Sequence, residues 1–151
     1  MYHLYNGILR NVESQEDAAT ANCYPTTIQL IVSAIRKLSA IAKMPEGGAV
    51  FRGLSGLALP PEFFAPDAQG CAGGVEASFM STTLSEEVAR KYSGVHQGRE
   101  ATIFCLRLGK TSLGADITWL SQFAGEKEML LPRTHLPVSY THLTLPTILR
   151  V

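Results

Sequence analysis

Four polar side chains could act together on one ligand: Arg52 in the segment VFRG, Ser81 in FMSTT, and the carboxylates Glu126 and Glu128 in GEKE. A planar guanidinium binds phosphate oxygens through paired, charge-assisted hydrogen bonds. A carboxylate stabilises the positive charge that develops at an anomeric carbon when a glycosidic bond breaks, and a serine hydroxyl can fix the rotamer of that carboxylate. The set therefore predicts a cleft for a phosphate-bearing ligand that loses a group from a sugar carbon.

The spacing of the two glutamates allows two interpretations. If SQFAGEKEMLLP continues as a strand through both acids, Glu126 and Glu128 share one face, roughly 7 Å apart, because side chains alternate along a strand. Both carboxylates could then serve one substrate. In the alternative, a loop after Gly125 ends in a solvated acidic patch, and the strand begins only at Met129.

One long amphipathic helix precedes Arg52. After Pro25, with Thr26 or Thr27 as a possible cap, apolar side chains recur at intervals of three and four residues. These are Ile28, Ile31, Val32, Ile35, Leu38 and Ala42. PEGG then ends this helix, and residues 49–56, AVFRGLSG, form a short strand candidate bounded by glycines. The Pro- and Gly-rich residues 57–74 predict a long loop with one helical turn at PEFF.

The second half of the chain predicts mainly strands. Residues 75–83 form one strand, followed by a short helix that Thr83 and Glu86 cap and Gly94 ends. The apolar residues 101–109 suit a strand buried on both faces. Residues 115–132 predict a strand or turn, a loop around Phe123 and a final strand. This order of helices and strands indicates an α+β fold.

Composition excludes several classes of protein. The chain has 151 residues, a length that predicts one soluble domain. Its 13 basic and 13 acidic side chains balance, which argues against a surface that binds polyanions. We therefore expect no nucleic-acid partner. Cys23, Cys71 and Cys105 form no metal-ligand or disulfide pattern. Arg36 and Lys37 interrupt the most apolar segment, so no membrane span is expected.

The three motifs, in this order, resemble those of the arginine-specific mono-ADP-ribosyltransferases of the R-S-E class, over roughly residues 26–132. The resemblance implies that an N-terminal helix is followed by two small packed β-sheets around an NAD cleft. It implies NAD as substrate, with no metal, and an arginine of a protein as acceptor. Arg52 then matches the NAD-binding arginine, and Gly53 matches the residue whose backbone holds the nicotinamide amide.

The same resemblance assigns the remaining site residues. Ser81 matches the first serine of the S-T-S motif, which positions the catalytic glutamate, and Thr83 departs conservatively from the last serine. Glu128 matches the catalytic second acid of the E-x-E motif, and Glu126 the first acid, which accompanies arginine as acceptor. Phe123 and Ser121 match the substrate-recognition turn.

Some alternatives stay open at this point. Phe79 or Tyr92 could stack on nicotinamide, although an aromatic residue in such a position is more often part of the core. The same residues would serve an NAD glycohydrolase, in which water replaces the acceptor, or a non-catalytic module that binds NAD or a protein. In an unrelated α+β domain, Arg52 and Ser81 would lie across the core from Glu128.

The last residues do not continue the pattern. Val138 to Thr147, VSYTHLTLPT, are similar to the translation of a transposon-end sequencing adapter. We therefore expect a catalytic domain over residues 1–136, incomplete at its C-terminus, and a non-native tail over residues 137–151. In the family another strand normally follows the catalytic strand, so the catalytic strand is expected to be an unprotected edge here.

Overall fold

The computed structural model describes residues 2–11, 24–41, 48–95, 101–109, 114–137 and 147–150. Within these residues the helices are α1 (Tyr2–Asn11), α2 (Pro25–Ile41) and α3 (Glu86–Ser93), with short 3₁₀ helices at Pro61–Phe64 and Ala124–Glu126. The strands are β1 (Ala49–Ser55), β2 (Gly73–Glu76), β3 (Met80–Thr83), β4 (Ala101–Arg107), β5 (Ala115–Asp116), β6 (Glu128–Leu131), β7 (Thr134–Pro137) and β8 (Thr147–Arg150). The predicted α+β class, with helices and two sheets, is confirmed.

The strands form two antiparallel sheets. The larger has the order β5-β6-β3-β1-β4-β8, and the smaller pairs β2 with β7. β6, which begins at Glu128, lies between β3 and β5, with Met129 opposite Asp116 and Leu130 opposite Ala115. The expectation of an exposed catalytic edge strand is therefore wrong, because the short strand β5 pairs with the outer side of β6.

Residues 75–83 form two strands in different sheets instead of the single strand predicted. The Glu76 carboxylate accepts hydrogen bonds from the backbone N–H of Ser78 at 3.1 Å and from its hydroxyl at 2.6 Å. The side chain of Asn6 bonds both the N–H and the carbonyl of Phe79, each at 3.1 Å. Side chains thus form the hydrogen bonds with backbone groups that, in a continuous strand, would pair with a neighbouring strand.

Helix α1, to which the sequence analysis assigned no element, holds the start of β3. Asn6 is 2% exposed, and its amide pairs with Phe79. Arg10 forms an ion pair at 3.0 Å with Glu76. Tyr5, Ile8 and Leu9, spaced three and four residues apart, are the pattern that would have predicted the helix. Because Ser81 follows Phe79 by two residues, α1 also fixes the strand that carries Ser81.

The contacts of Glu76 make the stability of the fold depend on pH. Burial acts to raise the pKa of Glu76, but hydrogen bonds from Arg10 and Ser78 outweigh it and lower the pKa from 4.5 to about 2. The stabilisation is therefore fully present above pH 4.5 and is lost as the pH falls through about 2. We expect Glu76→Gln to lower the free energy of unfolding at pH 7 by about 1–2 kcal/mol, since Arg10 is half exposed.

Urea unfolding between pH 7 and pH 2 measures this contribution. The difference between wild type and Glu76→Gln should shrink steadily below pH 4.5. Glu62→Gln changes an exposed carboxylate on the 3₁₀ helix and serves as the control, with no such difference expected. A gap between wild type and Glu76→Gln that stays constant down to pH 2 would contradict the assignment.

Helix α3 begins and ends at capping residues. The predicted cap at Thr83 is wrong, because Ser85 is the N-cap and accepts a hydrogen bond from the N–H of Val88 at 3.4 Å. The Thr83 hydroxyl instead accepts from the N–H of Ser85 and donates to the carbonyl of Glu126. Gly94 ends the helix with φ of 71°, as predicted, since glycine adopts this left-handed conformation without strain.

Buried apolar side chains of the described residues form two clusters. One joins the large sheet, through Val50, Met80, Phe104 and Met129, to Leu136 of β7 in the small sheet. The other joins α2 to the sheet, where Ile35 packs with Phe79 and Ala115, and the predicted apolar face of the helix surrounds them. Ala42 lies outside the described residues. No helix in the described part of the chain is long and apolar enough to cross a membrane.

The predicted domain boundary falls within β7, which pairs with β2 and places Gly74 opposite Leu136 and Gly73 opposite Pro137. Most of the adapter-like segment lies outside the described residues. The end of the chain, Thr147–Arg150, forms β8 and pairs with β4. The non-native origin of residues 137–151 stays a prediction.

Candidate active site

One cleft of about 580 Å³ brings together elements that are far apart in the sequence. Its walls come from β1, β3, the loop between β5 and β6, the start of β6, helix α3 and the N-terminal end of α1. Seven of the predicted site residues line it: Arg52, Gly53, Ser81, Ser121, Phe123, Glu126 and Glu128. The alternative that places Arg52 and Ser81 across the core from Glu128 is therefore wrong.

Glu128 is the most firmly held carboxylate in the cleft. The Ser81 hydroxyl donates a hydrogen bond to its Oε1 at 2.5 Å, and the Ser121 hydroxyl donates to its Oε2 at 3.0 Å. The N–H of Phe123 in turn donates to the Ser121 oxygen at 3.2 Å. Both carboxylate oxygens are thus fixed by neutral donors, so the side chain keeps one orientation and its charge stays available to a ligand.

Arg52 lies beside the strand that carries Ser81. Its Nη1 donates to the Ser81 carbonyl oxygen at 3.3 Å, and the side chain is half-buried. The residue thus contributes a cation to the same cleft as the Glu128 carboxylate. A guanidinium held at one end in this way retains further N–H donors for the oxygens of an anionic ligand.

A tight turn, and not a continuous strand, brings the two glutamates together. Glu126 ends the 3₁₀ helix Ala124–Glu126, and Lys127 has φ of 49°, a left-handed conformation that is uncommon outside glycine. The strand begins at Glu128, so the interpretation that it starts at Met129 is wrong as well. Both carboxylates nevertheless line one cleft, because the turn redirects the chain between them.

Glu126 contacts helix α3 through Tyr92. The Tyr92 hydroxyl donates to Glu126 Oε1 at 2.6 Å. The pKa of Tyr92 is raised by this hydrogen bond first, and then by partial burial and by the charges of Glu126 and Glu128. The tyrosine is therefore protonated at neutral pH, so it acts as a hydrogen-bond donor to the carboxylate.

The loop between β5 and β6 exposes three large apolar side chains, of which Phe123 lines the cleft. Asp116 accepts a hydrogen bond from the N–H of Thr118 at 2.9 Å and so begins the turn. Hydrogen bonds from Thr118 also lower the pKa of Asp116. Trp119, Leu120 and Phe123 are between 61% and 69% exposed. Phe123, the predicted recognition residue, therefore lies where an acceptor could touch it.

Phe79 is the predicted site residue that does not line the cleft. It is 3% exposed and packs with Ile35 and Ala115 beneath the sheet. The structure places Tyr92 in the cleft, and it also places His3 of α1 there. The sequence analysis missed His3 because it assigned no helix to the N-terminal residues, and no motif marks a single histidine.

Comparison with known proteins decides the family. The sequence profile of the family described as NAD:arginine ADP-ribosyltransferase matches residues 1–138. The chain belongs to the NAD:arginine ADP-ribosyltransferase family. No curated protein sequence matches the chain. The predicted resemblance to this family is thus confirmed, and NAD is the substrate that members of the family use.

Solved structures of bacterial proteins share the fold. The enzymatic component C2-I of the C2-toxin from Clostridium botulinum has a TM-score of 0.58 and 20% identity over 97% of this chain. This chain spans 38% of the length of C2-I. A separate ADP-ribosyltransferase from Clostridium botulinum, solved in a triclinic crystal form, has a TM-score of 0.56 and 24% identity, covering 97% of this chain and 77% of that enzyme.

The side chains in the cleft of this family member suit NAD chemically. The guanidinium of Arg52 is a suitable donor for the pyrophosphate of NAD. The fixed carboxylate of Glu128 is suited to a ribose that becomes cationic. A cleft of about 580 Å³ falls within the range typical of small-molecule sites. Within the described residues, no cluster of three or more His, Cys, Asp or Glu side chains could hold a metal ion, and Cys71 and Cys105 are free thiols.

Proposed function

We propose that this chain transfers ADP-ribose from NAD to the side chain of an arginine in an acceptor protein and releases nicotinamide. The single observation that carries the proposal is the geometry of Glu128, whose two oxygens accept hydrogen bonds from Ser81 and Ser121. Arg52 and Glu126 share the cleft with it. Membership of the NAD:arginine ADP-ribosyltransferase family supports the same reaction.

Arg52 binds the pyrophosphate of NAD. The diphosphate is the most highly charged part of the substrate, and the guanidinium offers it several donors in a fixed plane. The carbonyl of Ser81 orients Arg52 through the 3.3 Å hydrogen bond, so little side-chain entropy is lost when the phosphates bind.

Glu128 stabilises the transition state. The bond between the nicotinamide nitrogen and C1′ of the ribose breaks, and both bonding electrons leave with the nicotinamide, which becomes neutral. The positive charge then rests on the ribose as an oxocarbenium-like cation, which the Glu128 carboxylate stabilises. The two serine hydroxyls hold this carboxylate in place before the charge appears, so no reorganisation is needed during the step.

Glu126 acts on the acceptor. A guanidinium nitrogen of the acceptor arginine attacks C1′ and must lose a proton as the new bond forms, because its pKa lies above about 12. The Glu126 carboxylate takes that proton and passes it to solvent. The exposed ring of Phe123, beside Glu126, provides a contact for the acceptor at the mouth of the cleft.

The purified protein tests the proposal when it is incubated with labelled NAD and agmatine, a small guanidine acceptor. We expect release of nicotinamide together with an ADP-ribosyl-agmatine adduct. Release of nicotinamide with free ADP-ribose and no adduct would instead identify an NAD glycohydrolase. A lack of both products would contradict an enzymatic function.

Glu126→Gln should separate acceptor chemistry from NAD cleavage. Glutamine is the same size but cannot take a proton, so the ratio of agmatine adduct to free ADP-ribose should fall about 100-fold. The measurement is the partition of labelled ADP-ribose between the two products. Glu87→Gln, which changes an exposed carboxylate on α3 outside the cleft, should leave the ratio as in wild type. An unchanged ratio in Glu126→Gln would exclude Glu126 as the base.

A further inference from the structure

We propose that the hydroxyl group of Tyr92 positions Glu126 and so decides whether ADP-ribose passes to an arginine or to water. The proposal rests on the proposed function, because it concerns the acceptor half of that reaction. Tyr92 lies in the last turn of α3, lines the cleft and is 55% exposed. Its hydroxyl donates to Glu126 Oε1 at 2.6 Å.

The backbone of Glu126 is fixed by other groups. Its N–H donates to the carbonyl of Phe123 at 2.9 Å, and its own carbonyl accepts from the Thr83 hydroxyl. These contacts place the Cα atom of Glu126 but leave its side-chain torsions undetermined. A partly exposed glutamate has up to about 2 kcal/mol of rotamer entropy to lose, so one added anchor changes how often the carboxylate points into the cleft. Tyr92 provides that anchor.

Helix α3 makes the anchor rigid. The helix packs closely on β1, where the main chain of Gly53 approaches that of Ala89. Its two ends are fixed by Ser85 and Gly94. The hydroxyl of Tyr92 is therefore presented from a helix that is separate in sequence from the loop that carries Phe123 and Glu126.

The hydrogen bond leaves Glu126 able to act as a base. Tyr92 stays protonated at neutral pH, since its pKa is raised by the hydrogen bond to Glu126. It donates to Oε1 and does not take up the proton of the acceptor. Oε2 remains the oxygen that accepts the proton when the guanidinium nitrogen bonds to C1′ and the nicotinamide has left with the electron pair.

Loss of this anchor favours water over arginine. Water attacks C1′ without an acceptor having to be aligned, and its proton can pass to bulk solvent. The acceptor guanidinium has a pKa far above neutral and is therefore protonated. It can react only when a correctly oriented carboxylate takes its proton. The ratio of adduct to free ADP-ribose therefore reports the orientation of Glu126, whereas a general loss of fold would lower both products together.

Tyr92→Phe tests the proposal, because it removes the hydroxyl and keeps the ring. With labelled NAD and agmatine, we expect the ratio of adduct to free ADP-ribose to fall about tenfold, a loss comparable to one charge-assisted hydrogen bond. Tyr24→Phe is the matched control. Tyr24 packs edge-on against Tyr5 outside the cleft, so its hydroxyl should not affect the ratio.

A double variant identifies the route of the effect. In the Glu126→Gln background, Tyr92→Phe should cause no further fall in the ratio, because the base that it positions is gone. An unchanged ratio in Tyr92→Phe, or the same tenfold fall in both backgrounds, would overturn the proposal while the proposed function stands. If the wild-type protein forms no agmatine adduct, the proposed function and the role of Tyr92 are both overturned. The assay of the wild-type protein alone therefore distinguishes this outcome from failure of the Tyr92 proposal.

Discussion

Glu128→Gln is expected to lower the rate of nicotinamide release from NAD by about 100- to 1,000-fold, which is the usual cost of removing one group that stabilises transition-state charge. Glutamine fits the same space and can still bond Ser81 and Ser121, whose hydroxyls fix the carboxylate in wild type. It has no negative charge to offer the ribose cation, so the effect should lie in kcat. The measurement is steady-state release of nicotinamide, with NAD varied to separate kcat from KM.

Glu62→Gln is the control for this variant, because Glu62 lies on the 3₁₀ helix Pro61–Phe64, outside the cleft. It should retain the wild-type rate. Nicotinamide release at the wild-type rate in Glu128→Gln would show that another group carries the catalysis.

Gly53→Ala is expected to be the most destabilising single change in the cleft wall. A Cβ atom at this position would lie 1.9 Å from the carbonyl oxygen of Ala89 and 2.7 Å from the backbone nitrogen of Ser93. Both are main-chain atoms of α3, so neither can move aside without moving the helix. We expect a loss of about 3 kcal/mol in the free energy of unfolding. Thermal unfolding should show a fall in Tm of about 10 °C.

Gly7→Ala is the matched control, since an added Cβ on Gly7 of α1 meets nothing within 4 Å. Alanine favours a helix over glycine by about 0.5–1 kcal/mol, so this variant should be as stable as wild type or slightly more stable. If Gly53→Ala unfolded at the wild-type temperature, the close packing of α3 on β1 would be contradicted.

The sequence predicted the components of the site better than their arrangement. Arg52, Ser81, Glu126 and Glu128 were identified from residue type, order and position at the ends of apolar segments, because these features are local. The sequence also predicted that Glu126 and Glu128 would face one substrate. The reason given, a shared strand face, does not hold, since Glu126 belongs to a turn and Lys127 has a left-handed backbone. Local propensity gives little indication of such a conformation at a lysine.

The misplaced residue, Phe79, shows why a pattern of alternation can mislead. If one strand ran from Val75 to Thr83, Phe79 would share a face with Ser81. The strand begins only at Met80, because Asn6, distant in sequence, binds the backbone of Phe79. A contact over 73 residues cannot be inferred from the residues around Phe79. The same holds for β5, which covers β6 although it has only two residues.

By itself, the sequence determined which chemical groups the protein has and the family to which it belongs: a guanidinium, a serine hydroxyl and two carboxylates in a fixed order. It also determined the main elements, because apolar periodicity and capping act over a few residues. The predicted role of Ser81 in holding Glu128 agrees with the structure, but only the tertiary structure decided that Ser121 holds Glu128 as well, that Tyr92 holds Glu126, and that Phe79 lies in the core. These outcomes depend on strand register and helix packing, which arise from contacts between distant segments that no local pattern records.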